Sequence, residues 1–369
     1  MGSVLHYKTN FLNRSETFIH RLVSNHQRYT PAALCYRKLH FCDGLPVHFV
    51  PDAFYQKTVN AAAFHLNRPL PFYKKSVREK KPDIIHAHFG YDAYKMLAIA
   101  RRENIPFVVS FYGSDVSRLP GEFGWKMRYK KLARYGAAFI AASDFMKRQL
   151  IDLGFPSDKI SVIYFGLDTD LLPYQTKTFS SLNILMAGRL VEKKGFEYAI
   201  QAIALLKLKG IELPVTIFGN GPLLSKLKKL TKENGIDSQI TFKGFQPVEE
   251  IVNAHKKHSL FLAPSVTAID GDMEGLPNTI LEAMALGTPV IATKHAAIPE
   301  AITHQKSGFL VDERDANGIV NTISEIICGS YNLMEIAKNA RLEIERTFTI
   351  NKMVKQVEEL YDKVTQEEC

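Results

Sequence analysis

Residues 270–289 read DGDMEGLPNTILEAMALGTP. The pattern is a loop entering a helix: Pro277 suits a first helical turn, residues 279–286 are rich in helix formers, and Gly287-Thr288-Pro289 ends the run. The first N–H groups of such a helix lack helical partners and sit at the positive end of its dipole, which makes the Gly275-Leu276-Pro277-Asn278 loop a candidate anion seat. Glu274 lies on the loop before the helix and Glu282 about a turn inside it, so both flank the same open end. A single acid there needs no explanation beyond the dipole. Two acids around this loop suit a ligand that is part anion and part polyol, as a nucleotide-sugar is. Its phosphates would meet the dipole, its ribose hydroxyls one carboxylate, and its sugar the other.

Working outward, strand-like runs at 3–7, 32–36, 47–50, 84–87, 107–111, 138–141 and 160–163 alternate with helical or irregular stretches. The second half repeats that grammar, with strand-like runs at 183–187, 215–218, 240–242, 260–263, 290–292 and 309–311. Helical patterns follow at 316–328, 333–345 and 350–364. Alternation of this kind predicts βα units and parallel sheets. Ser15 is the expected N-cap of a first helix running through Leu22. A chain of 369 residues exceeds what one core usually supports, so two domains are expected, with residues 167–181 as the linker.

Apolar residues make up 46% and charged residues 23%, which excludes disordered and collagen-like classes. No run of about 18 apolar residues exists, and no apolar leader precedes a cleavage site, so a cytoplasmic protein or one bound at a membrane surface is expected. The four cysteines, Cys35, Cys42, Cys328 and Cys369, form no C-x-x-C pair and read as incidental thiols in a reducing compartment. Charge is uneven: residues 1–175 hold 25 Lys and Arg against 14 Asp and Glu, whereas 176–369 hold 22 against 24. The basic half has two clusters, Lys74, Lys75, Arg78, Lys80 and Lys81, and the helical segment 125–135. At about 100° per residue, Lys126, Lys130 and Arg134 share one stripe there, and Trp125, Tyr129 and Leu132 an adjacent apolar one. This segment is expected to rest on an anionic bilayer.

With GRLVEKKG at 188–195, GNGP at 219–222 and EGLPNTILEAMALGTPVIA at 274–292, the chain resembles the retaining GT-B-fold glycosyltransferases of family 4 type. HAHFG at 86–90, residues 143–154 and FGLD at 165–168 extend the resemblance over nearly the whole chain, and SETFI at 15–19 is similar to the exopolysaccharide and colanic-acid branch. The resemblance implies two Rossmann-like domains, 1–172 on the acceptor side and 173–347 holding the donor, with a cleft between them and a C-terminal helix, 348–369, packing back on the first. It implies transfer of a hexosyl group, with retention, from a UDP- or GDP-sugar to a hydroxyl acceptor, a lipid-linked or growing surface glycan, with no cofactor, metal or nucleic acid involved. Arg189 and Lys194 match the basic pair on the donor diphosphate, Glu274 the acid near the donor sugar, and Glu282 the one on the ribose. Gly275, Leu276, Pro277 and Asn278 would face sugar and phosphate, and Gly219 and Gly221 would wall the nucleotide.

The first half departs from the family pattern twice. The loop at 9–14 lacks paired glycines, leaving Asn10, Asn13 and Ser15 to replace them, and Tyr112 stands where many relatives have His. His88 is the nearest substitute, although a His after a buried strand is more often structural. Asp115 either orients the acceptor or caps the following turn. The triplets Asp168-Thr169-Asp170 and Asp270-Gly271-Asp272 spell the D-x-D metal signature of a different transferase fold, and neither is expected to hold a metal. An epimerase or phosphorylase on the same architecture is the alternative enzyme reading, and a non-catalytic basic adaptor for membrane or nucleic acid the alternative outside catalysis.

Overall fold

The computed structural model describes residues 1–11, 16–38, 44–49, 71–179 and 181–366. Asn13, Ser15 and Cys42 lie outside them, as does Cys369. The chain divides into two compact units, Met1–Gly166 with Ile350–Cys369, and Leu167–Thr349. Both are α/β, each built on one parallel sheet.

The first unit has the strands β1 (Gly2–Tyr7), β2 (Asn10–Phe11), β3 (Tyr29–Cys35), β4 (Arg37–Lys38), β5 (Val47–Phe49), β6 (Ile84–His88), β7 (Phe107–Phe111), β8 (Ala138–Ala141) and β9 (Ile160–Val162). Seven of them form a sheet in the order β5-β3-β1-β6-β7-β8-β9, while β2 and β4 pair separately. β6, β7 and β8 are buried at every residue, because helices cover both faces of the sheet and leave no polar side for alternation to mark. On one face, Leu5, Ile85 and Val109 pack against Met96 and Leu97 of helix Gly90–Glu103 and Leu132 of helix Trp125–Tyr135. On the other, Val4, Ile84, Val108 and Ile140 meet Val354, Val357 and Tyr361 of the C-terminal helix Ile350–Gln366.

Helix Trp125–Tyr135 corrects one expectation. Tyr129 and Leu132 are fully buried and Trp125 packs on the same core, so the apolar stripe faces inward and not toward a bilayer. The physical reason is the neighbouring aromatic cluster: Tyr129 meets Phe111 and Phe155 edge-on, and burying that ring outweighs leaving it at a surface. Lys126, Met127, Lys130, Lys131 and Arg134 are what this helix exposes, and Phe123 stands fully exposed just before it. The first helix starts at Thr17, where Glu16 occupies the cap position without a side-chain cap bond.

The second unit carries β10 (Ile184–Ala187), β11 (Val215–Phe218), β12 (Ile240–Gly244), β13 (Leu260–Ala263), β14 (Val290–Thr293) and β15 (Phe309–Val311) in the order β12-β11-β10-β13-β14-β15. That is the doubly wound order 3-2-1-4-5-6. The order in which strands are added reverses between the parallel neighbours β10 and β13, and the crevice at their carboxyl ends is where such sheets bind ligands. Residues 167–181, expected as a linker, are largely packed within this unit. Leu172 is buried, Arg341 donates to the Leu172 carbonyl (2.6 Å), and Lys177 donates to the His258 carbonyl (3.1 Å).

Candidate functional site

The crevice of the second unit gathers the segments singled out in the sequence. β10 is followed by Gly188-Arg189 and the turn Glu192–Lys194, and β13 leads through Pro264 and Ser265 toward the loop before helix Asn278–Ala285. Met186, Lys194, Phe196, Pro264, Pro277 and Thr279 line one small hollow there. Two glycines let the backbones approach. Gly195 has φ +64, and a Cβ on it would lie 1.8 Å from the Pro264 carbonyl oxygen. Gly219 has φ +131, and a Cβ there would strike the Gly188 carbonyl at the same distance. The Gly219–Pro222 turn is thereby held against the strand end that carries Arg189, with Leu190 N–H donating to the Asn220 carbonyl (3.0 Å). Gly221 N–H closes the turn on Asn220 Oδ1 (2.8 Å).

Glu274 is the centre of the charge network. Lys194 Nζ donates to its Oε2 (3.0 Å), and Lys193 Nζ lies 3.6 Å from its Oε1 while bridging Asp272 (3.1 Å) and the Met273 carbonyl (3.2 Å). Burial raises the Glu274 carboxyl's pKa, but the Lys194 and Lys193 ammoniums, the bond from Lys194 and His295 outweigh it and hold the group below the usual carboxylate range. Its Oε1 is buried without a hydrogen-bond partner among the described residues, and so is Oδ1 of Asn278, the first helical residue. Buried polar oxygens are nearly always paired, so these two are groups that could accept from a ligand's donors. Arg189 is exposed and makes no side-chain hydrogen bond or ion pair among the described residues. Gly275 is half-buried, Leu276 and Pro277 are buried, and Glu282 lies half-buried in the helix's second turn.

Two contributors were not singled out in the sequence. His295, fully buried after β14, accepts the Glu274 N–H at Nε2 (3.1 Å) and donates from Nδ1 to Glu313 Oε1 (2.6 Å); Glu313 also accepts the Thr267 N–H (2.9 Å). This pins the loop by its backbone. Lys193 was passed over in favour of Lys194, although Asp272 of the second D-x-D triplet is its partner. The usable signal for His295 was its place just past a strand end on the crevice side. In the first triplet, Asp168 Oδ1 accepts the N–H of Asp170 (3.1 Å), a local turn.

In the first unit, His88 ends β6 and bonds Tyr112 (Nδ1 to hydroxyl, 2.6 Å), and both stand at the carboxyl end of the sheet near the β1/β6 reversal. Asp115 is fully buried. Its oxygens accept the N–H groups of Tyr112 (3.1 Å), Gly113 (2.9 Å) and Gly90 (3.1 Å), which fixes the two strand-end loops to each other. Burial still raises its pKa despite those donors.

Residues 180–343 match the family described as glycosyl transferases group 1, and residues 35–171 match glycosyltransferase family 4. The chain is 32% identical over 295 residues to the amylovoran biosynthesis glycosyltransferase AmsK of Erwinia amylovora, covering 77% of this chain and 72% of that one. It is 34% identical over 276 residues to the putative colanic acid biosynthesis glycosyltransferase WcaL of Escherichia coli, covering 73% and 67%. The fold is similar to that of HepE from Anabaena in complex with UDP, at a TM-score of 0.78 and 19% identity over 98% of this chain and 100% of that one. A doubly wound unit with its charged crevice at the strand reversal, joined to matches at this level, establishes that the chain belongs to the GT-B glycosyltransferases of group 1 and family 4.

Proposed function

We propose that this protein is a retaining hexosyltransferase that uses a UDP- or GDP-sugar and works without a metal on a hydroxyl of a lipid-linked glycan, in assembly of an extracellular polysaccharide. The observation that carries the donor site is the pairing of Lys194 with Glu274 beside two buried oxygens that accept no hydrogen bond among the described residues, at the mouth of a helix N-terminus. In this reading Arg189 and Lys194 face the diphosphate and stabilise the charge that grows as it leaves, an effect strongest in a site that excludes water. Glu282 takes the ribose hydroxyls, and Glu274 with Asn278 the hydroxyls of the sugar. No carboxylate is assigned as a nucleophile. The acceptor hydroxyl attacks from the leaving-group face, and a phosphate oxygen of the donor takes its proton. The polysaccharide setting draws on AmsK and WcaL, glycosyltransferases of amylovoran and colanic acid biosynthesis, and a uridine nucleotide on the UDP complex of HepE.

The test is thermal stabilisation by a panel of UDP- and GDP-hexoses, followed by transfer of radiolabel from the best donor into a membrane fraction supplying lipid-linked acceptors. Stabilisation by one nucleotide series and label in the glycolipid fraction are expected. No stabilisation by any donor, together with salt-sensitive RNA binding, would favour the adaptor reading instead.

A further inference from the structure

Beneath the strand reversal of the first unit, three histidines from separate segments stand in one hydrogen-bonded row. His26, in the loop after helix Thr17–Ser24, lies 3.2 Å from Glu358 Oε1 through Nδ1, and its Nε2 lies 3.0 Å from Nε2 of His6 on β1. His6 Nδ1 is 3.0 Å from Nε2 of His88 on β6, and His88 Nδ1 is 2.6 Å from the Tyr112 hydroxyl. Every ring nitrogen of the three is used once.

The row has only one consistent order of protons. Glu358 Oε1 also accepts the backbone N–H groups of Gln27 (2.7 Å) and Arg28 (3.0 Å), and Arg28 Nε lies 3.3 Å from Oε2, so the carboxylate is a fixed acceptor. Burial pushes that carboxyl up, and these backbone donors with His26 outweigh it. His26 must then carry its proton on Nδ1 and accept at Nε2. A neutral His6 must donate from Nε2 and accept at Nδ1, and His88 likewise, which leaves its Nδ1 to accept the Tyr112 O–H. Burial lowers the pKa of all three rings and so favours the neutral forms this order needs. It also keeps Tyr112 protonated, by raising the phenol.

His86 stands beside the row with its own partners, Tyr361 (2.5 Å) and Ser110 (2.7 Å). His6, His86 and His88 are close enough to hold a metal, yet each of their nitrogens already meets a protein partner. Other charged groups near the two ends are Lys8, Glu16, Asp92 and Asp115 on the Tyr112 side, and Arg28 and Asp362 on the helix side.

We propose that His88, His6, His26 and Glu358 are positioning residues that hold the Tyr112 hydroxyl with its proton turned inward, so that its oxygen meets substrate only as a hydrogen-bond acceptor for a sugar or acceptor hydroxyl. The substrate half of this rests on the transferase reading above; the proton order does not. A His in the place of Tyr112 offers a ligand either a donor or an acceptor, whereas a tyrosine committed to this row offers only lone pairs.

Nitrogen-15 histidine spectra of the full chain at pH 7.5 read each ring's tautomer. Nδ1–H on His26 and Nε2–H on His6 and His88 are expected. Glu358→Leu, which leaves His26 Nδ1 without its acceptor, should disturb all three rings. Asp362→Asn loosens the same helix at Arg28 and Tyr29 but touches no member of the row, and should leave them unchanged. Nδ1–H on His6 or His88, an imidazolium in the row, or a chelator-reversible metal at these rings would overturn the proposal. In the transfer assay, Tyr112→Phe should raise KM about 5- to 10-fold for whichever substrate supplies the hydroxyl, the labelled donor or the membrane acceptor. Glu358→Leu should move the same KM, with no further rise in the double variant. Additive effects would show that Glu358 only stabilises the helix and would also overturn it. A wild type inactive with every donor would sink the transferase reading and leave the tautomers to decide the row.

Discussion

At Glu274, the carboxylate proposed for the donor sugar, two lysines hold the group ionised while Oε1 accepts no hydrogen bond among the described residues. Arg189→Ala and Lys194→Ala should each lower turnover about 10²- to 10³-fold with the fold intact, since each removes a charge aimed at the departing diphosphate. Circular dichroism checks the fold, and wild-type turnover in either variant would reject the assignment. Glu282→Ala should weaken binding of the bare nucleotide diphosphate by about 1.5–3 kcal/mol, measured by calorimetry, if a charge-assisted bond to ribose is lost. An unchanged affinity would remove the ribose role. Glu274 and Lys194, which meet in the crevice, could be singled out in the sequence because an acid before a helix start and a lysine next to a glycine turn have local signatures. His295 was not, since its bond to the Glu274 N–H joins residues 21 apart that only the sheet brings together. For Asp115 the sequence leaves open whether it orients the acceptor or caps the following turn, and its three backbone donors, which come from two different loops, have no local signature.

Among the elements, strands were read best. β7, β8, β11, β13 and β15 coincide with the runs marked in the sequence, because short apolar runs between turn residues have few other uses in an alternating α/β chain. The segment before β10 was misread for lack of periodicity, since it packs by scattered anchors and not by one face. Lys177 is one of these anchors, donating to the His258 carbonyl and to Thr288, and burial pushes its ammonium down to about 7. Between about pH 7 and pH 10.5 the unfolded chain therefore holds a proton that the folded unit has released, and stability rises with pH across that window. Below pH 7 both states are charged and the slope vanishes. Lys177→Met should thus be most favourable relative to wild type near pH 6.5 and lose that advantage by pH 9.5, as read by urea unfolding. A difference in stability that does not change with pH would refute the buried ammonium.

For the molecule as a whole, the basic excess lies in the first half, and the described residues include no helix long and apolar enough to cross a membrane. Chelation should leave transfer nearly intact, because the proposed diphosphate seat has Arg189, Lys194 and a helix N-terminus, and Asp272 is already paired with Lys193. Complete loss in EDTA with recovery on adding Mn²⁺ would overturn that part of the reading. Access to the proposed lipid-linked acceptor would require the enzyme to reach a bilayer, and the inward turn of Tyr129 and Leu132 limits what helix Trp125–Tyr135 can offer one. The proposed contact would be made by exposed Lys126, Lys130, Lys131 and Arg134, with Phe123 and Met127 as the apolar groups beside them. Each cation near an anionic leaflet contributes about 1 kcal/mol, and the effect fades within a Debye length of about 8 Å at physiological salt. Binding to liposomes should therefore need anionic lipid, weaken as salt rises, and fall when Lys126, Lys130 and Arg134 are changed to Glu. Phe123→Ala should weaken the residual binding at high salt, where burial of an exposed ring and not charge sustains it. Equal recovery of wild type and the triple variant on anionic liposomes at low salt would remove this helix from the membrane contact, and helix Pro71–Lys80, with exposed Lys75, Arg78 and Lys80, would be the surface left to test.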